Sequence, residues 1–143
     1  MFKKIIFLTT ILIATAACKS KLINQMIHKK REGLWIESFV NDTIIYASKG
    51  KYKNADEIKT WCFFENKKLV RKAKYKKHYC FKTFYHPNGK IESKGKTKTD
   101  STENQLHWFY DGIWKFYDID GHLIETKTYH QGQLISSITK NIK

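Results

Sequence analysis

The stretch Gly112 to Ile135, GIWKFYDIDGHLIETKTYHQGQLI, constrains the fold more than any other part of the chain. Trp114, Phe116 and Tyr117 form an aromatic run that Asp120-Gly121 interrupts. Leu123-Ile124 restarts it, and Tyr129 precedes a second turn at Gln131-Gly132. Asp-Gly between alternating apolar runs is a strong hairpin signal, because glycine takes a positive φ without steric cost. The unit is an aromatic strand, a tight turn, a second strand and another turn.

The chain from Gly33 onward reads as worn copies of this unit. In the first, Gly33-Leu34-Trp35 repeats the Gly-x-Trp start, Asn41-Asp42 takes the turn, Ile44-Ile45 restarts, and Tyr52 takes the place of Tyr129. The second begins near Lys59 with Trp61-Cys62-Phe63-Phe64, turns at Glu65-Asn66-Lys67, restarts at Leu69-Val70 and reaches Tyr75. The third places Phe81 where the others have Trp, then Phe84-Tyr85, the turn His86-Pro87-Asn88-Gly89, and Ile91. The polar run Thr97 to Gln105 reads as an inserted loop before the fourth copy. The lead aromatics fall at 35, 61, 81 and 114, unevenly, but each is followed after eight to ten residues by an apolar restart: Ile44, Leu69, Ile91 and Leu123. Repeats of about 20–30 residues that cannot bury a face alone form stacked arrays. The expectation is an all-β domain over 33–138: consecutive antiparallel β-hairpins in one elongated twisted sheet, with 139–143 as a tail. Trp35, Trp61 and Trp114 are expected on its packed face; the other reading of the Trp and Tyr positions is a ligand-stacking groove.

The N-terminus is of another kind. Lys3 and Lys4 precede a short apolar run, Ile5 to Ile13, and Thr15-Ala16-Ala17 leads to Cys18. That run is too short to span a bilayer and fits an export signal over 1–17. Small residues before a cysteine resemble the lipobox of bacterial lipoproteins, which implies that Cys18 is lipidated. Residues 18–32 then form a basic tether, in which Leu22, Ile23, Met26 and Ile27 suit one face of a short helix, or a solvated linker. Lys19 after the cysteine resembles sorting patterns that place such proteins in the outer membrane of Gram-negative bacteria. Losing Lys3 and Lys4 lowers the formal net charge from +14 to +12.

Gly112-x-Trp114-x-x-Tyr117, followed by Asp120-Gly121, Leu123-Ile124, Tyr129 and Gly132, resembles the variant MORN repeat (membrane occupation and recognition nexus). Gly33-x-Trp35 and Tyr85 to Lys90, with Gly89 in the turn, match next. The resemblance implies a β-hairpin array and a binding or scaffold role. Some bacterial members carry an antitoxin-like label.

Motifs for chemistry are few. The six histidines show no ready metal spacing, and no Cys-x-x-Cys occurs. Asp118 and Asp120 flank a turn, and neither a Gly-x-Ser-x-Gly elbow nor a phosphate loop exists. A non-enzymatic protein without metal or cofactor is expected. The basic cluster Lys67, Lys68, Arg71, Lys72, Lys74, Lys76 and Lys77, close to Tyr75 and Tyr79, is the candidate partner site. Behind an export signal its partners are an anionic lipid, glycan or protein rather than nucleic acid; a basic face serving solubility alone is the plainer reading. Two other roles stay open: an immunity or antitoxin-like protein that neutralises a partner, and a hydrolase acting on envelope polymers. Cys62 and Cys80 are expected as free thiols that point away from the lead-aromatic face. One strand between theirs separates the Cα atoms by roughly 9–10 Å, against the limit of about 7 Å for a disulfide.

Overall fold

In the computed structural model, residues 22–102 and 105–140 are described; the expected export signal over 1–17 and Cys18 lie outside them. The described chain is all-β. Its strands are β1 (Gln25–Ile27), β2 (Lys30–Asn41), β3 (Ile44–Lys53), β4 (Asp56–Glu65), β5 (Lys68–Lys76), β6 (Tyr79–Tyr85), β7 (Ile91–Thr102), β8 (Gln105–Tyr117), β9 (Leu123–His130) and β10 (Gln133–Thr139). They pair in chain order as one ten-stranded antiparallel meander.

The recurring aromatic is held by a slip in register. On β3, Lys49 faces Cys62 and Lys51 faces Ile58, so a two-residue step on β3 meets a four-residue step on β4. The extra residues bring Trp61 over Gly50, where any Cβ would run into the indole ring. The Trp61 Nε1–H then donates to the Lys51 carbonyl at 3.2 Å. The same slip separates Lys94–Lys115 from Lys96–Asp111. Trp114 lies over Gly95, and its Nε1–H donates to the Lys96 carbonyl at 3.0 Å. Two residues before Trp35, Trp61 and Trp114 the backbone enters the left-handed region: Gly33 at φ 75, Lys59 at φ 61 and Gly112 at φ 69. That is the physical content of Gly-x-Trp, and Lys59 fills the glycine position at a steric cost.

The apolar restarts also have a structural meaning. One residue after Leu69, Ile91 and Leu123 the second strand bulges, at Val70, Glu92 and Ile124. The loops before the last two are matched. His86 N–H donates to Lys90 O and Gly89 N–H to His86 O, as Asp118 N–H does to His122 O and Gly121 N–H to Asp118 O. They stack on each other through Asn88 Nδ2–H donating to Ile119 O at 2.7 Å and Lys90 Nζ donating to Asp120 O at 2.9 Å. The Gln131-Gly132 turn has both residues at positive φ, and Gly132 N–H donates to Tyr110 O at 2.9 Å.

Among the described residues no second layer covers the sheet, yet Trp61 and Trp114 are only 1% and 2% exposed. Aromatic neighbours do the covering. Tyr52 stands edge-on between Trp35 and Trp61, with ring centres 5.5 and 4.8 Å away. Tyr110 packs on Trp114 at 4.4 Å and on Tyr129 at 5.1 Å. Tyr75 of β5 meets Trp108 of β8 at 6.1 Å, which requires the sheet to curl toward this side. Trp35, Trp61 and Trp114 share the concave face, as expected.

Three local expectations are corrected. Gln25–Ile27 pairs with Lys30–Glu32, so residues 25–32 belong to the sheet and the apolar tether residues form no helix. Thr97 to Thr102 and Gln105 are no inserted loop: they lie in the outer arms of β7 and β8, paired from Thr97–Tyr110 to Thr102–Gln105. Their Thr-rich, alternating pattern suits an exposed ladder as well as a loop. Phe81 does not stand in the Trp place. β6 lacks the slip, so Phe81 points to the opposite face and is 45% exposed. Lys82 takes the level of Trp61, paired with Ala73 and Gly95.

If Lys59 is strained at the position that glycine holds in the other Trp-bearing units, Lys59→Gly should raise stability. About 0.5–1 kcal/mol is expected, left-handed relief less the greater chain entropy of glycine. A chemical-denaturation midpoint that shifts upward checks it.

Candidate functional site

The strongest constellation lies on the convex face, over β5, β6 and β7. Successive side chains of a strand point to opposite faces. In β5 that sends Arg71, Ala73 and Tyr75 to the tryptophan side and Lys72, Lys74 and Lys76 to the other. The register then builds three rows: Lys72–Thr83–Lys94, Lys74–Phe81–Lys96 and Lys76–Tyr79–Lys98. Lysines of β5 and β7 thus flank the outward residues of β6, about 9.6 Å apart across two strand spacings. Lys115 beside Lys94, and Lys49 one strand beyond Lys72 across Cys62, extend the first row.

Aromatic rings hold several of these ammonium groups. Lys96 Nζ lies 4.8 Å from the Tyr79 ring centre, Lys72 Nζ 5.7 Å from Tyr85, and Lys94 Nζ 5.4 Å from Tyr117. Such contacts are worth about 0.5–1 kcal/mol at exposed sites, enough to bias where a lysine head sits. Lys96 also pairs with Asp111 at 3.0 Å. Among the described residues no cation lies over Phe81, whose ring is open to solvent.

The cluster expected from sequence is therefore divided. Lys72, Lys74 and Lys76 share the convex face. Lys67 sits in the β4–β5 turn at φ 66, Lys68 faces Glu65, and Lys77 lies in the β5–β6 turn. Arg71 is on the concave side, its guanidinium 3.8 Å from the Phe63 ring centre. Lys94, Lys96 and Lys98 were missed as site residues. Their signal was present: Lys-x-Lys-x-Lys at 94–98 has the period of Lys72, Lys74 and Lys76, and only the register shows that the two runs flank one strand.

On the concave side a cleft of about 810 Å³ opens at the loop end, lined by Phe39, Tyr46, Phe63 and Phe84. Glu37, Glu65 and Glu92 offset Arg71 and Lys68 there, so it carries no dominant charge. At the other end of that face, burial and a hydrogen bond with Glu57 push the Tyr75 hydroxyl well above its ordinary range. Burial holds the Lys82 ammonium below its ordinary value and pushes the Cys80 thiol up. No group of three His, Cys, Asp or Glu side chains placed to hold a metal occurs among the described residues.

Both thiols are free, but not on one face. Cys62 is partly exposed on the convex side, between Lys49 and Lys72. Cys80 is fully buried on the concave side, because without the slip β6 shows that face its even-numbered residues. The expected shared face is corrected, and the sheet itself separates the two sulfurs.

Comparison with known proteins finds no matching family model, no matching curated protein and no matching solved structure.

Two predictions follow from these faces. Trp114→Ala should cost about 3–5 kcal/mol, the range for a large core aromatic, whereas Phe81→Ala should cost less than about 1 kcal/mol; denaturant midpoints of both variants decide. Of the two thiols on the sheet, Cys62 should alkylate readily in the folded protein. Cys80 should react only on unfolding, since a buried thiol with a raised pKa offers neither access nor thiolate.

Proposed function

We propose that this chain is a non-enzymatic binding module of the bacterial cell envelope, built from MORN-like hairpins and tethered to the membrane by a lipid on Cys18. Its convex face presents a basic, aromatic surface to an anionic partner. The observation that supports this most is the placement of Lys72, Lys74, Lys76, Lys94, Lys96 and Lys98 on one side of three adjacent strands. Like charges gathered on one face repel, and a fold gains no stability by collecting them. An array kept together despite that repulsion is suited to binding, where a partner's anions relieve it. Aromatic caps on the lysines supply order that a purely solubilising surface does not need.

The envelope placement rests on the sequence of the first residues, and the tether fits the charge of the module it would carry. A lipid anchor and a basic face cooperate, since surface potential attracts ammonium groups at roughly 1 kcal/mol each.

The full chain should be retained on anionic supports at low ionic strength and released as salt rises, because screening shortens to about 8 Å at physiological strength. Replacing Lys72, Lys74 and Lys76 together by Gln should weaken retention by more than about tenfold, while the unfolding midpoint holds. Cys18→Ser should leave unprocessed precursor or move the protein out of the membrane fraction. Retention indifferent to salt and to the triple variant removes the binding reading.

A further inference from the structure

Resting on that reading of the convex face, we infer that β6 is the floor of a track for one linear acidic polysaccharide chain.

Three features select this occupant. The first is width. Strands in a sheet rotate by about 20–25° each, and this sheet also curls toward its tryptophan side. Lysines several strands apart therefore diverge; those of β5 and β7, one strand either side of β6, stay level over three successive rows, whereas Lys49 and Lys115 extend only the first. The three-row footprint is two strand spacings broad, from β5 to β7, and runs along Tyr79 to Tyr85, roughly 20 Å at 3.3 Å per residue. A single extended polymer fits that strip, and a flat membrane does not.

The second is the arrangement of charge. Lysines stand in two parallel files, Lys72–Lys74–Lys76 and Lys94–Lys96–Lys98. A polysaccharide whose acid groups project alternately to its two sides meets one file with each set. All six cations are lysines, whose compact heads suit exposed carboxylates or phosphates without the bidentate geometry of arginine. The nearby arginine, Arg71, is turned to the other face.

The third is the supply of free rings. A single-stranded nucleic acid is gripped by stacking successive bases on successive aromatic side chains. Here Tyr79 is covered by Lys96 and Tyr85 by Lys72. Phe81, centred between Lys74 and Lys96, is the open ring of the strip. One apolar platform between two files of cations matches the face of one sugar ring, with its acids reaching outward on either side.

The test titrates the full chain with polygalacturonate oligomers, an uncharged oligosaccharide of the same length, single-stranded DNA and phosphatidylglycerol vesicles. Polygalacturonate is expected to bind most tightly, and the uncharged oligosaccharide not measurably. Lys74→Gln with Lys98→Gln should lower affinity about 25-fold, near fivefold per ammonium. Phe81→Ala should lower it about fivefold, on the scale of one stacking contact, with the unfolding midpoint unchanged. Lys67→Gln with Lys68→Gln, off the track, should change it less than twofold by about the weight of a remote surface charge. Equal loss from the off-track pair, or none from Phe81→Ala, overturns the track. Tighter binding of DNA or vesicles with the same variant pattern overturns the polysaccharide but leaves the anionic-partner reading standing. If no anionic probe responds to the convex-face variants, both fall.

Discussion

The sheet depends on an indole ring laid over a glycine. A single layer of strands has no opposing layer to bury its side chains, so each apolar group must be covered from within its own face. Trp61 over Gly50 and Trp114 over Gly95 achieve this by removing the intervening Cβ and tying the ring nitrogen to the next carbonyl. A buried indole N–H needs a partner, and the carbonyl freed by the register slip is within reach. Glycine, slip and tryptophan form one device: without the glycine the ring has no seat, and without the slip it does not reach it. Trp35, at the edge of the array, keeps the positive-φ residue Gly33 and bonds instead to the Glu32 carbonyl at 3.1 Å. There Arg31 lies over the ring.

Much of this was legible in the sequence. Gly-x-Trp, the turns and the spaced restarts are local features, and local features predicted four hairpins in the right order, the strands from β2 to β9. What the sequence concealed were the partners of those features. Gly50-Lys51 and Gly95-Lys96 are the seats of the tryptophans, but each precedes its tryptophan by 11 or 19 residues. The distance varies because the arms between them vary in length. The polar run after Thr97 was misread for the same reason: a long ladder of Thr, Ser and Lys has the composition of a loop, and only pairing with β8 distinguishes the two. At the amino-terminal end, a three-residue strand is too short for periodicity to separate from helix or linker.

The third unit shows how one residue changes a site. Alternation makes the face of a strand depend on parity, so an error of one reverses every side chain. Aligning Phe81 with the tryptophans put Cys80 and Cys62 on one face and hid the relation of β6 to its neighbours. With Lys82 at the tryptophan level, Cys80 enters the core beside Tyr75 and Thr97. Phe81 then turns outward into the lysine rows. The candidate site was visible as charge but not as geometry. Of the cluster between Lys67 and Lys77, alternation alone separates Arg71 from Lys72, and no local signal joins Lys74 to Lys96.

The basic track and the missing tryptophan have one cause. In the second and fourth units the slip displaces the strand by two residues against its predecessor, which breaks any column of side chains running across the sheet. Between β5 and β6 the register is continuous from Arg71–Phe84 to Lys76–Tyr79, and between β6 and β7 it holds from Phe84–Ser93 to Tyr79–Lys98. Here β4 to β7 run in unbroken step, from Phe63–Arg71–Phe84–Ser93 to Lys59–Tyr75–Cys80–Thr97, and the lysine files of β5 and β7 stay level across β6. The core side bears a cost for it. Where a buried indole would sit, the chain places Lys82, whose ammonium is partly desolvated, and relies on the small side chains of Ala73, Ser93 and Thr97 to close the packing. The unit that departs from the repeat on the packed face is the one that keeps the opposite face regular, and the array gives up one tryptophan seat where its surface charge is most ordered.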